Sequence, residues 1–317
     1  MPAFLRLALD ENLHALNEVF LVARGKAWLV DSSIYVFKSW FMLPDSILDT
    51  QGNPINAVIG FLNFVAKLLE NEKPALIGFA FDQSLAQSFR NELYPPYKAN
   101  RDPAPPELKY QFGLCREFLA SAGLAEFSSD RAEADDLIGA WARAARVEGN
   151  TVYIITGDKD LTQLVEEDDL WWEYFRGQPL DRHGVRKKHG VHPHQIADML
   201  AIAGDKVDNI PGVPGVGVKT AAKLLNKFGS VENMLSRIPE IGQSRLRGAK
   251  RLQGLIEKHR DDIELAQKLT VIDCDTPIDR ERGLHRLPPD RAKLDELFDL
   301  LRFPEAARQR WMRILTD

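Results

Sequence analysis

The sequence predicts an α/β first domain built on a largely parallel sheet, followed by a helical second unit. Three observations carry this. Apolar runs at 27–33 (AWLVDSS), 74–82 (PALIGFAFD) and 150–160 (NTVYIITGDKD) are short and each runs into acidic or turn residues, as buried strands do. Stretches with helical spacing separate them, so strands alternate with helices and pair in parallel. From about residue 190 the pattern is helical, apart from one Gly/Pro-rich hairpin.

The elements follow in order. Residues 1–26 read as a short amphipathic extension with no assigned function. The 27–33 run is a buried strand ending at Asp31, and NAVIGFLNFVAKLLE (56–70) has helical spacing. PALIGFAFD is a second strand ending at Asp82. Residues 83–113 change character: Tyr94, Pro95, Pro96, Tyr97, Lys98, Arg101, Pro103, Pro105 and Pro106 leave little apolar periodicity, which predicts an exposed, mobile excursion. QFGLCREFLASAGL (111–124) returns to a helix ending at Gly123. AEADDLIGAWARAAR (132–146) is a helix with acids in its first turn, where the helix dipole favours them. NTVYIITGDKD is a third strand turning at Gly157 into DLTQLV, and LWWEYF (170–175) suggests another strand. HPHQIADMLAIAG, the hairpin and KTAAKLLNKFG open the helical unit. The expected organisation is an extension (1–26), an α/β core (27–188) with its excursion (83–113), a helical subdomain (189–290) and a helical tail (291–317).

The chain has 317 residues, 44% of them hydrophobic, enough for a good core and one or two domains. Cys115 and Cys274 match no metal or redox spacing, and a reducing, cytoplasmic compartment is expected. No apolar run reaches the roughly 18 residues needed to cross a bilayer, and Asp10, Glu11 and Glu18 do not fit a signal peptide. No membrane partner is expected. The net charge is −5, yet residues 206–260 hold 11 Lys+Arg against 4 Asp+Glu, a net of +7, which leaves −12 for the rest. An acidic half joined to a basic half points to a polyanionic partner, although a solvated basic face would look the same from charge alone.

Nine acids gather in five short clusters: Asp31; Asp82; Glu133, Asp135 and Asp136; Asp158 and Asp160; Asp205 and Asp208. Open parallel sheets form their sites beyond the carboxyl ends of strands, where Asp31, Asp82 and Asp158 would lie. Glu133 and Asp136 share a helical face, as the i, i+3 spacing of Asp205 and Asp208 also allows. Like charges brought together repel unless a cation holds them. Oxygen-only clusters suit hard ions such as Mg²⁺ or Mn²⁺. Two such ions can activate a water and stabilise the leaving oxygen of a phosphodiester. One acid at a strand end is ordinarily a cap or turn residue; five clusters together are hard to explain by capping.

The hairpin NIPGVPGVGVKTAAKLLNKFG (209–229) adds a phosphate-binding pattern. Gly212, Gly215 and Gly217 permit tight turns and close approach of another molecule, and the helix start near Lys219 favours an anion. Lys219, Lys223 and Lys227 recur at i, i+4, i+8, a stripe that can follow a nucleic-acid backbone without reading bases. On the excursion, Lys98 and Arg101 can clamp a phosphate and Tyr97 can stack on a base, provided the segment folds over the carboxylates.

Together the motifs VDSS, FAFD, FRNELYPPYKANR, EADDLIG, TGDKDLTQLV and GDKVDNIPGVPGVGVKTAAKLL, in this order from about 27 to 229, resemble those of the 5′ nucleases: the 5′→3′ exonuclease domain of bacterial DNA polymerase I, phage 5′ exonucleases and the flap endonucleases. Weaker similarity, including RGAK at 247–250, extends to about 285. The resemblance implies a nuclease-type (PIN-like, resolvase-like) α/β core, a helical arch at about 83–113, and a helix–three-turn–helix DNA-binding subdomain. It implies two-metal hydrolysis of DNA near a 5′ flap, nick or 5′ end, RNA primer–DNA hybrids included, with Mg²⁺ and with Mn²⁺ as substitute. Asp82, Glu133, Asp135 and Asp136 would serve one ion; Asp158, Asp160, Asp205 and Asp208 the other; Asp31 would act mostly through water. Lys98 and Arg101 match the basic pair of the arch and Tyr97 its stacking tyrosine. The carbonyls of Ile202, Ala203, Pro211, Val213 and Val216 would hold K⁺ at the hairpin, and Gly215, Val216, Gly217, Val218, Lys219, Thr220, Lys223 and Lys227 would meet the duplex. A bacterial, nucleoid-associated monomer is implied.

The sequence departs from the pattern in two ways. A stand-alone nuclease without a polymerase or proofreading domain is expected, and any coupling to synthesis would then need a separate polymerase. Lys38 stands where polymerase-type members commonly carry Arg, which keeps the charge but loses bidentate phosphate contact. Two other readings remain open: a non-catalytic flap-binding module, against which the complete acid set counts, and a ribonuclease acting on structured RNA, against which the hairpin and basic arch count.

Overall fold

The computed structural model describes residues 25–83 and 88–316. The extension expected over 1–26 lies outside these residues as far as 24, as do positions 84–87 of the excursion.

Strand β1 (Lys26–Asp31) is buried after its first residue and passes directly into helix α1 (Ser32–Met42). Helix α2 (Asn56–Glu72) buries Phe61, Leu62, Val65, Leu68 and Leu69 on one face, and β2 (Leu76–Asp82) follows. A short helix α3 (Phe89–Leu93) opens the excursion, which continues through turns to residue 100. Helix α4 (Pro106–Ser121) starts at Pro106, whose missing N–H costs nothing in the first turn. Then come β3 (Ala125–Ser129), α5 (Ala134–Val147), β4 (Thr151–Ile155), a 3₁₀ turn over Asp160–Leu164, β5 (Leu170–Trp172) and α6 (Arg182–His189).

The five strands are all parallel, in the order β3-β2-β1-β4-β5. The chain works outward from β1 to β3 and then returns to the other side of β1. The order therefore reverses between β1 and β4, and the crevice for a site opens beyond their carboxyl ends. Both faces are covered. Trp28 and Val30 point into a core formed by α1, α2 and α4, while Ala27 and Leu29 point into a second core with α5. Burial on both faces explains why the strands read as unbroken apolar runs.

The helical unit comprises α7 (Ile196–Ala203), α8 (Val218–Phe228), α9 (Val231–Ser236), α10 (Ile238–Gly242), α11 (Ala249–Lys258) and α12 (Arg260–Thr270). Ala221, Leu224, Leu225 and Phe228 form the buried face of α8 and join the same core as α5. Helices α13 (Arg291–Leu300) and α14 (Glu305–Thr316) return to the α/β unit, where Phe298 and Trp311 pack on Phe118. Among the described residues, no helix is long and apolar enough to cross a membrane.

Several elements differ from expectation. β3 is an edge strand of five residues, AEFSS, half-exposed after Ala125 and too polar to register as an apolar run. β5 stops at Trp172, and DLTQLV makes one 3₁₀ turn rather than a helix. The largest correction concerns the excursion. Much of its described part is exposed, as at Glu92, Leu93, Pro95, Pro96 and residues 99–103, but it is anchored by two buried side chains: Arg90 is 2% accessible and Tyr97 3%. The arch is a short helix plus consecutive turns, fastened to the hairpin loop by Lys98 N to the Asp208 carbonyl (3.0 Å) and Asn209 Nδ2 to the Pro96 carbonyl (2.7 Å).

Candidate active site

The parallel sheet delivers its acids to one edge. Asp31 ends β1, Asp82 ends β2, and Asp158 lies in the turn after β4. A chain of hydrogen bonds orders them: Thr156 Oγ1 donates to Asp31 Oδ2 (2.7 Å), Asp158 N donates to Thr156 Oγ1 (2.9 Å), and Asp160 N donates to Asp158 Oδ1 (2.8 Å). Asp82 Oδ1 accepts from Ala134 N at the start of α5 (3.0 Å), which ties the third acidic cluster to β2.

The first turn of α5 divides its acids. Asp136 was expected beside a metal, but both its oxygens are engaged elsewhere. Arg90 grips it bidentately, Nη1 to Oδ2 and Nη2 to Oδ1 at 2.8 Å each, and the amides of Glu133 and Asp273 also donate to it. Asp136 is therefore a brace. Arg90, which sequence reading passed over inside FRNELYPPYKANR, also donates to the carbonyls of Leu269 and Val271 after α12. One buried guanidinium thus joins the excursion, α5 and the helical unit. A lone Arg in the five-residue α3, FRNEL, gave no periodicity signal for this. Glu133 is buried and keeps Oε1 without a hydrogen-bond partner.

The arch cations do reach the carboxylates. Lys98 Nζ lies 2.7 Å from Glu133 Oε2 and 3.7 Å from Asp208 Oδ2, and Arg101 pairs with Asp208 Oδ1. Lys98 carries a left-handed backbone, φ 52°, at this contact. Tyr97 corrects the stacking expectation: its ring is buried against Ala201, Ile210, Ala266 and Leu269, and its hydroxyl lies 3.1 Å from Glu133 Oε2 and 3.2 Å from Asp208 Oδ2. In this arrangement Tyr97 fastens the arch to acids of two clusters and presents no face to a base. Lys38 lies at the same edge, paired with Glu173 Oε1 at 2.9 Å.

The hairpin loop brings the fifth cluster. Asp205 and Ile210 pair backbone to backbone (3.0 and 2.7 Å), and Lys159 Nζ bonds Asp205 Oδ2 at 2.9 Å. Gly212 is required by packing, because a Cβ there would lie 2.2 Å from the Ala203 carbonyl. The Ile202 and Val213 carbonyls accept from Val213 N and Val216 N at 2.9 Å, so each has one lone pair left for a cation. Val216 is buried, whereas Gly215, Gly217 and Val218 are exposed. Lys219, Lys223 and Lys227 are all exposed on α8, with Thr220 half-buried, and Lys227 also donates to the Glu240 carbonyl (3.1 Å).

The electrostatics fit a cation site. Burial first, then Asp82, pushes the Asp31 carboxyl from 3.8 up to about 7. Burial and Asp158 push Asp160 up to about 7 as well, and burial with Asp158 and Asp31 raises Asp135. Burial opposes the charge on Lys98, yet Glu133, Tyr97 and Asp208 hold its ammonium well above the usual lysine range. Asp160 Oδ1, like Glu133 Oε1, is buried without a hydrogen-bond partner. Among the described residues no three acids form a ready-made cage for one ion. Mg²⁺ does not need one, since it keeps several waters and takes one or two carboxylates. A buried Glu133 Oε1 without a hydrogen-bond donor, an Asp160 Oδ1 met only by the Lys159 ammonium at 3.5 Å, mutually raised carboxyls and an oxygen-only donor set fit hard divalent ions.

A pH dependence follows. The folded protein holds Asp31 and Asp160 protonated to about 7, against 3.8 in an unfolded chain, so it binds more protons than the unfolded chain between these values. That stability is complete below 3.8 and is lost as pH rises through about 7. Depressed Asp205, held down by Lys159 against its burial, contributes in the opposite sense but only at lower pH. Thermal melts of the metal-free protein are expected to fall between about pH 5 and about pH 8 and to recover on adding Mg²⁺. A melting temperature that is flat or rising over that window would contradict it.

An acid-lined carboxyl edge, a basic arch and a glycine hairpin with exposed lysines define a nuclease of the resolvase-like α/β class. The chain belongs to the 5′-3′ exonuclease family: residues 26–190 match its N-terminal resolvase-like domain and 191–292 its C-terminal SAM fold. It is 37% identical over 270 residues to the 5′-3′ exonuclease of Aquifex aeolicus, covering 85% of this chain and 89% of that one. It is 39% identical over 287 residues to DNA polymerase I of Bacillus caldotenax, covering 88% of this chain but only 32% of the polymerase. In fold it is similar to T5 5′-exonuclease with zinc bound (TM-score 0.63, 18% identity, 92% of this chain and 99% of that one) and to the catalytic core of Rad2 in complex with DNA substrate (TM-score 0.61, 16% identity, 92% of each).

Proposed function

We propose that this chain is a Mg²⁺-dependent, structure-selective 5′ nuclease that hydrolyses phosphodiesters in DNA at a 5′ flap, nick or 5′ end, RNA primers included. The observation that carries the reading is the convergence of Asp31, Asp82, Glu133, Asp135, Asp158 and Asp160 at one sheet edge, faced by Asp205 and Asp208 from the hairpin. Asp82, Glu133 and Asp135 would hold one ion, and Asp158, Asp160, Asp205 and Asp208 the other, with Asp31 behind them through water. Mn²⁺ would substitute. Ions bound there would lower the pKa of a water and offset charge on the leaving oxygen.

The chain's own residues do the rest. Thr156 fixes Asp31 against the Asp158 turn. Lys98 and Arg101, now neutralised by Glu133 and Asp208, are placed to turn to the scissile phosphate and stabilise its developing charge. The exposed hairpin, with K⁺ on the carbonyls of Ile202, Ala203, Pro211, Val213 and Val216, would seat the duplex backbone. The protein would act as a cytoplasmic monomer. The polymerase relatives support action beside DNA synthesis. A flap labelled at its 5′ end, incubated with and without Mg²⁺, tests the reading by product length. No metal-dependent product would leave the flap-binding module, and cleavage of structured RNA alone would favour the ribonuclease.

Lys219→Ala with Lys223→Ala removes two exposed cations. It is expected to lower the slope of log affinity against log salt by about 2 for duplex DNA. An unchanged slope would take α8 off the binding face.

A further inference from the structure

We propose that Glu173 is a specificity-determining counter-ion that parks Lys38 at the catalytic edge and yields it to a substrate phosphate. The inference rests on the nuclease reading above and adds a residue that the acid clusters, arch and hairpin do not include.

Lys38 projects from α1, the helix that starts immediately after Asp31. Its ammonium lies beside the turn that carries Asp158: a Cβ placed on Gly157 would be 3.0 Å from Lys38 Nζ and 3.4 Å from Glu173 Oε1. The ammonium also sits over the Tyr35 ring, 5.3 Å from its centroid, a second contact that holds the headgroup at this edge. Its carboxylate partner is Glu173 at 2.9 Å, and both side chains are partly exposed, 34% and 23%.

Two features make the pair exchangeable. First, half-exposed ion pairs are worth little, because water and salt compete with them. A phosphodiester anchored beside Asp158 can therefore outcompete Glu173 for the ammonium. Second, Glu173 has another cation at hand. Arg176 Nη1 lies 3.5 Å from the same Oε1, and Arg176 is otherwise 76% exposed. When Lys38 turns to phosphate, Arg176 stays with the carboxylate, and no charge is left uncompensated. A lysine suits this better than an arginine, since a single ammonium on a flexible stem can change partners without breaking a fork. Glu173 thus sets how readily the edge accepts a phosphate and favours substrates that deliver one close to Asp158.

The test is a double-mutant cycle on Lys38 and Glu173. Affinity for a nicked duplex bearing a 5′ phosphate is measured over a salt series, with Ca²⁺ replacing Mg²⁺. Glu173→Gln is nearly isosteric, and far-UV circular dichroism melts check its folding. It is expected to tighten binding about three- to fivefold with the salt slope unchanged, because Lys38 meets the phosphate in both complexes. Lys38→Gln should weaken binding, and in that background Glu173→Gln should give no gain. Unchanged affinity in Glu173→Gln, or the same gain with Lys38 removed, overturns the proposal while leaving the nuclease reading intact. Failure of the parent protein to bind the duplex at all would overturn the nuclease reading, and this inference with it.

Discussion

Asp135→Asn combined with Asp158→Asn is expected to reduce flap cleavage by on the order of a thousandfold or more while raising the stability of the metal-free protein. The opposite signs have one cause. Burial, and then the Asp158 and Asp31 charges, raise the Asp135 carboxyl, so above its folded titration range this charge destabilises the native state. Neutral amides of nearly the same shape remove that repulsion. The backbone bond from Asp160 N can still be accepted by an amide oxygen at 158. What is lost is the negative donor set for divalent ions. The two readouts are Mg²⁺-dependent cleavage of a labelled flap and the melting temperature without metal near pH 8. Normal turnover would remove both acids from the chemistry. A lowered melting temperature would show that they support the fold rather than strain it.

The division between structure and chemistry was partly open to sequence reading. Strand-end acids, glycines at 212, 215 and 217 and the lysines of α8 follow from local patterns: a buried run must end somewhere, and its first polar residue then faces the edge. What stayed hidden depends on contacts across long separations. Arg90 meets Asp136 forty-six residues away and the Leu269 carbonyl 179 residues away, and no local period encodes either. Tyr97 in a Pro-rich stretch reads as exposed, yet its ring completes a small core supplied by Ala201, Ile210, Ala266 and Leu269. The Pro-rich arch has no periodicity because its order comes from successive turns, closed by bonds such as Tyr97 N to the Tyr94 carbonyl, and from docking on Asp208 and Asn209. Glu173 has no motif, and only its distance to Lys38 singles it out.

Arg90→Met should be the most destabilising single change in the site, by about 3–5 kcal/mol. Asp136 is fully inaccessible, and Arg90 supplies its bidentate cation. Removing the guanidinium leaves a buried carboxylate facing Glu133, which lies 3.8 Å from Arg90 Nη1 and would lose the same cation. The carbonyls of Leu269 and Val271 lose donors too, so the cost falls at the seam between the α/β core and the helical unit. Arg90→Lys keeps one charge but cannot reach two carboxylate oxygens and two carbonyls from one ammonium, and it should recover only part of the loss. The measurement is urea unfolding of each variant, alone and with Asp136→Asn. If Arg90 and Asp136 act as one unit, the double variant should be more stable than Arg90→Met alone, because the stranded charge is gone. Simple additivity would mean that Arg90 acts mainly through the two carbonyls, and that Asp136 can be charged without it. In that case Asp136 would regain a place among the acids available to an ion.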